Sequence, residues 1–383
     1  MKSEVNKEFN EEQQEILKSI RVSRIILPIL IGIGVVAYLM WQQFDAEDFA
    51  EIRKWTRHKA FWVGMAVVLL TIRHLAYALR LRVLTDKQFK WRKCIELIFI
   101  WEFSSAVSPT SVGGSAVALF VLAQEKLSTA KTTTLVLFSI VLDTIFFVGT
   151  LPILFLFYGP QIIRPNMDSI YDFDGWGYTF LGAYVLMAMY GSAFFYGLFV
   201  NPNLMKRLLV YFTRFRWLRR FRHQAIDLGN DLIVASEEMK GKRWPYFITA
   251  FLATATAWSC RFFLLNCLII AFIPSTSLAI FDQMALYSRL ETMFVVMAFS
   301  PTPGGAGLAE LAFWSFTNDY VAMKSTALSI AVLWRLLTYY LYLFVGIIII
   351  PNWIRNILNE RKRNRLRREQ EQQQKDDDAT TTT

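Results

Sequence analysis

Apolar residues run along most of this chain in blocks longer than soluble helices or strands need. The blocks at 24–43, 60–82, 132–158, 177–200, 245–273 and 326–351 each reach the ~20 residues that cross a bilayer core as a helix. Two further apolar stretches, 94–123 and 284–317, are interrupted by nearly the same phrase, SPTSVGG at 108–114 and SPTPGG at 300–305. Proline lacks an N–H and clashes with the preceding turn, and paired glycines open backbone angles that other residues avoid. The pattern predicts an all-α, polytopic helical membrane protein with two broken segments at Pro109, Gly113 and Gly114 and at Pro301, Pro303, Gly304, Gly305 and Gly307. The block at 24–43 follows a long mixed-charge leader and lacks a small-residue cleavage site, so it is expected to remain as a span and not to be removed as a signal peptide.

The polar intervals set the orientation. Residues 80–93 carry Arg80, Arg82, Lys87, Lys90, Arg92 and Lys93 against Asp86, and residues 201–244 carry ten Lys/Arg against four acids. With the basic tail RKRNRLRR, these intervals are expected on the cytoplasmic side. Residues 159–176 set Arg164 alone against Asp168, Asp172 and Asp174, and 274–283 hold no Lys or Arg, so both read as external. Counting crossings then makes 94–123 return to the cytoplasmic side and 284–317 to the outer side. The predicted topology is six crossings and two re-entrant pairs, with both termini inside; a kinked full crossing at either break would change the parity. The unit span, re-entrant pair, span thus occurs at 60–158 and, inverted, at 245–351, a common build for secondary transporters. TIRHLAYALR and SCRFFLLNC each place an arginine in the opening span, and LFSIVLDTIFF and LSIAVLWRLLTYY each place a charge in the closing one. Residues 1–23 form a cytoplasmic segment, 24–351 the transmembrane domain, and 352–383 a basic then polar tail expected to be disordered.

Composition narrows the chemistry. The chain is 54% hydrophobic with a formal net charge of +10, and its basic residues lie in loops and the tail. That placement reports orientation, and nucleic-acid binding is not expected. Cys94, Cys260 and Cys267 fall in apolar segments without metal-ligand spacing and read as small core residues. His58, His74 and His223 are scattered, with no metalloprotease, nucleophile-elbow or nucleotide-loop pattern. No cofactor, metal or catalytic residue is expected, and the chain reads as a non-enzyme. The stretch KRLLVYFTRFRWLRRFRHQ at 206–224 has two readings: an amphipathic helix on anionic lipid or a basic face beside a lipid-entry gate, and simple positive-inside anchoring.

Six charges sit within or at the edge of apolar segments: Arg73, Asp143, Arg261, Glu291, Glu310 and Arg335. Each costs about 2.5–3.5 kcal/mol at a span centre on insertion scales. Internal ion pairing is one account of them, and Arg73, nearer an interface, has the further option of snorkelling. The other account is a polar cavity that holds a lipid head group or relays a proton. Glu310 is the first candidate, five residues after Gly305 on a half-helix whose N-terminal amides would suit a phosphate or carboxylate. The glycines alone fit close helix packing equally well.

SPTPGGAGLAELAFW followed by SIAVLWRLLTYYLYLFVGIIIIP resembles the lysylphosphatidylglycerol synthase transmembrane-region family, also described as flippase-like. The family's second-half pattern falls here on Pro301, Pro303, Gly304, Gly305, Gly307, Glu310, Arg335 and Gly346. RHLAYALRLRVL and SPTSVGG with LDTIFF look like its first-half elements, although GGSAVALF lacks the acid and base that usually follow those glycines. The resemblance spans roughly 20–355 and implies a multi-spanning lipid flippase in a bacterial cytoplasmic membrane, here as a stand-alone member without the synthase domain. Two functions remain open. One is a transporter that moves an anionic or glycan-bearing lipid between leaflets. The other is a scaffold or accessory subunit for a lipid- or envelope-modifying enzyme. Membrane lipids, anionic ones foremost, are the expected partners.

Overall fold

The computed structural model describes residues 54–363 apart from 108–120, 123, 126, 166, 168, 173, 216, 299, 301–304, 306–307, 358 and 360–362. The chain is helical throughout this range. In order come α1 (Arg57–Leu84), α2 (Trp91–Val107), α3 (Thr129–Tyr158), α4 (Gly175–Phe199), α5 (Pro202–Phe212), α6 (Arg222–Met239), α7 (Trp244–Phe272), α8 (Ile280–Met297), α9 (Leu308–Thr317) and α10 (Lys324–Ile357). Among the described residues, α1, α3 with its 3₁₀ extension, α4, α7 and α10 are long and apolar enough to cross a membrane. They coincide with five of the six expected spans; the sixth, 24–43, lies outside the described residues.

Local chemistry accounts for the ends. Thr56 accepts a hydrogen bond from the Lys59 amide, Ser128 from that of Lys131, and Asp174 from those of Trp176 and Gly177, so each caps the helix that follows. Such caps satisfy amides with no intrahelical acceptor. Gly159 ends the α-helical part of α3 with φ of 63°, which favours a residue without Cβ. Within α10 the helix loosens into a π turn at Leu336–Tyr340, directly after Arg335. Such turns often mark functional sites.

α1 and α7 form the most extensive helix pair and make the centre of the bundle. Around them sit two apolar clusters. One joins α7, α8, α9 and the first half of α10 through Phe262, Leu268, Met293, Phe313 and Trp334. The other joins α1, α2, α3 and α6 through Leu81, Leu97, Val141 and Leu232. Phe61, Leu156, Phe157, Met189, Phe344 and Ile348 are exposed on the long helices, an apolar exterior suited to lipid. Where α10 crosses α2 the contact is tight: a Cβ on Gly346 would lie 2.3 Å from Cδ2 of Phe103.

The broken-helix motif is only partly described. Gly305 is buried with φ of 71°, and a Cβ there would stand 3.4 Å from the Met297 methyl. Pro109, Gly113, Gly114, Pro301, Pro303, Gly304 and Gly307 lie outside the described residues. α9 follows the second break, packs on α8, and at 10 residues is about 15 Å long.

Candidate functional site

Helices α1, α2, α3, α7, α8 and α10 enclose a cavity of about 320 Å³. That is near the lower end of the range for small-molecule sites. Its wall carries Arg80, Arg261 and Arg335 with Glu102 and Asp143, beside the hydroxyl residues Ser105, Ser139 and Thr338 and the aromatic rings of Tyr77, Trp101, Trp258, Phe294, Trp334 and Tyr339. Three arginines against two carboxylates leave one positive charge in excess on the wall.

Helical spacing builds the α1 side. Arg73, Tyr77 and Arg80 recur at i, i+4 and i+7, which puts them on one face, and all three are buried. The Tyr77 ring lies between the two guanidiniums, 5.0 Å from that of Arg73 and 4.7 Å from that of Arg80. Arg80 donates to Asp143 at 2.7 Å and to the Thr254 hydroxyl at 3.3 Å, and the Trp258 indole donates to the same Asp143 oxygen at 3.0 Å. Arg73 stands behind the wall, 1% exposed, donating to Glu102 at 2.6 Å and to the Tyr342 hydroxyl at 3.0 Å. Snorkelling is therefore not how Arg73 is accommodated: the half-buried Glu102 carboxylate neutralises it in place.

Across the cavity, Arg335 lies 3.6 Å from Glu310, both buried, and its guanidinium is 4.2 Å from the Tyr339 ring. Glu310 thus reaches the cavity through Arg335. Arg261 differs from both. It packs 5.3 Å from the Trp258 ring and 4.9 Å from the Phe294 ring. Its Nε, like that of Arg73, is buried without an acceptor among the described residues, but unlike Arg73 and Arg335 it has no carboxylate partner among them. Two cation–π contacts, about 0.5–1 kcal/mol each at an exposed site and about 2 when desolvated, work against the about 2.5–3.5 kcal/mol that such a charge costs at membrane depth without giving the guanidinium a hydrogen-bond acceptor. The Trp334 indole is a second buried donor without an acceptor among the described residues.

Five of the six charges singled out in the sequence therefore converge here, three on the wall and two immediately behind it. The sixth does not. Glu291 is fully buried on α8, takes a hydrogen bond from the Thr150 hydroxyl of α3, and is absent from the cavity wall. Two charged wall residues, Arg80 and Glu102, are not among the six charges singled out in the sequence. Arg80 reads in the sequence as the first of a basic loop, yet it belongs to α1. Its i, i+7 relation to Arg73 was the available signal.

The fold and this site define a multi-pass membrane protein with a charged cavity between its spanning helices. A family model, described as the lysylphosphatidylglycerol synthase TM region, matches residues 25–346, and the chain belongs to that family. A UPF0104 membrane protein of Archaeoglobus fulgidus is 22% identical over 347 residues, covering 84% of this chain and 95% of that protein. No solved structure matches.

Proposed function

We propose that the chain binds the anionic part of a lipid head group in this cavity and moves that lipid between leaflets. The observation that carries the reading is Arg261, a guanidinium on the cavity wall with aromatic flanks and no carboxylate partner among the described residues. A phosphate or carboxylate placed there would accept charge-assisted hydrogen bonds in water-poor surroundings, where such bonds are strongest. Arg335 and the Trp334 indole stand on or beside the same wall to share the load.

The inverted-repeat reading supports movement over mere binding. α1 and α7, the opening helices of the two proposed repeats, pack side by side, and each carries at least one arginine on or beside the cavity wall. The short α9 packed back on α8 after Gly305 is what a re-entrant pair would look like, and broken backbone at membrane depth is tolerated where it lines a cavity. One observation favours the scaffold reading instead: Glu102, Asp143 and Glu310 each already have an arginine, so much of the charge is internally balanced. Mass spectrometry of lipid co-purified in mild detergent separates binding from its absence. One head-group class enriched over bulk membrane in the wild type, and lost in Arg261→Gln, is expected. Bulk-like lipid in both would leave the scaffold reading.

A further inference from the structure

Away from the cavity, the segment 202–222 carries a surface that the transport reading does not use. We infer that it docks in the head-group plane of an anionic leaflet, holding acidic phospholipid against the foot of α4. Three observations converge on this partner.

The first is charge. Between Asn201 and Ile226 the sequence holds seven Lys/Arg and no Asp or Glu. The second is the apolar face among those cations. No residue of α5 is buried, and Leu208, Tyr211 and Phe212, at i, i+3 and i+4, are 39%, 56% and 54% exposed. Phe215, Trp217 and Phe221 continue the exposed aromatics, and Arg220 lies 4.6 Å from the Phe221 ring. A soluble surface rarely gathers this many rings, whereas an interfacial helix combines Lys/Arg with Trp, Phe and Leu in this way.

The third observation is position. α4 is a spanning helix ending at Phe199, and α5 begins at Pro202 after the Asn201 cap, whose side chain accepts from the Leu204 amide at 2.8 Å. α5 therefore starts where the span leaves the bilayer. Its back is held by the bundle: Met205 and Leu209 rest on the core, Lys206 donates to Asn230 at 2.6 Å, and Gly229 lets α6 approach so closely that a Cβ would meet Cγ of Lys206 at 2.5 Å. With the back fixed, the aromatic and basic front is what remains to meet a partner. A bilayer carrying negative charge supplies both halves of the match, since each nearby Lys or Arg is attracted to such a surface.

The test uses the full chain in nanodiscs of phosphatidylcholine alone or mixed with phosphatidylglycerol. Trp217→Cys carries a polarity-sensitive fluorophore; the three native cysteines are buried. In phosphatidylglycerol discs the emission should shift to the blue and neutral acrylamide should quench it several-fold less. One molar salt, which shortens the Debye length to about 3 Å, should reverse both, and so should replacing Arg214, Arg219, Arg220 and Arg222 together by Gln. The same readings at Phe215→Cys guard against a local effect of the label. Identical spectra in the two lipids would overturn the inference, whether the probe is exposed in both or inserted in both. A lipid difference that survives salt and the fourfold variant would overturn it too.

Discussion

Two arginines in neighbouring helices meet opposite fates. Arg73 on α1 is sealed, bonded to Glu102 and Tyr342, while Arg261 on α7 stands at the cavity with two aromatic rings and no carboxylate among the described residues. Glu291, on α8, turns instead to Thr150 on α3. An ion pair that is complete holds helices together. Under the proposed function, a guanidinium without such a partner keeps its charge for an anion that arrives from outside.

The contrast is open to attack by mutation. Arg73→Gln should be the most destabilising change, since removing one partner of a buried pair costs about 3–5 kcal/mol; thermal unfolding in detergent reads this directly. Arg261→Gln should leave the melting temperature nearly unchanged and abolish selective lipid retention, the reverse order of effects. If Arg261→Gln proved the more destabilising of the two, the cation would be structural. Enlarging Gly346 to Val would push α10 off Phe103, the neighbour of Glu102, and should cost about 1–3 kcal/mol by overpacking, disturbing the sealed arginine more than the open one. Arg261→Lys keeps the charge but loses the planar fork and its stacking on the rings, so lipid retention should fall in part, with selectivity weakened more than affinity.

The smallest effect belongs to a cluster remote from both. Asp86 takes hydrogen bonds from Lys131 and from Lys242, the latter at 2.7 Å, and Lys131 also bonds Glu238 at 3.1 Å. Burial alone would raise the Asp86 carboxyl, but the two lysines outweigh it and hold the group below its ordinary range. The stabilisation is therefore present above the unfolded-state value near 3.9 and is lost as pH falls through the folded one. Asp86→Asn should flatten that acid limb of a stability–pH profile by lowering stability above it, near neutrality included, and the drop should be small because the group is about a third exposed.

The spans were legible in the sequence because a bilayer demands length and apolarity, and those are visible residue by residue: 132–158 against Thr129–Tyr158, 245–273 against Trp244–Phe272. The site was legible in part for the same reason, since a charge within an apolar block is costly enough to stand out. What the sequence hid was pairing. Arg80 sits at the end of a span beside a basic loop, so its side chain reads as solvated until the fold brings Asp143 of α3 to within 2.7 Å. Glu102 lies in the interrupted stretch IELIFIWEFSS, where helical phase alone does not say which neighbour it meets. Glu291 shows the converse: a conspicuous charge that the packing turns away from the cavity. Which of several buried charges share a wall is a property of helix packing: the i, i+7 spacing of Arg73 and Arg80 marks one face of α1 but not the partners across it.

The most direct measurement follows leaflet exchange of fluorescent phosphatidylglycerol in proteoliposomes, by loss of signal to a membrane-impermeant reductant. Wild-type protein should make label in the inner leaflet accessible to the reductant, and Arg261→Gln, incorporated to the same density, should match protein-free vesicles. Equal exchange by the two proteins would remove Arg261 from transport. Failure of the wild type to exceed protein-free vesicles, with lipid still bound, would make the cavity a holding site in a scaffold.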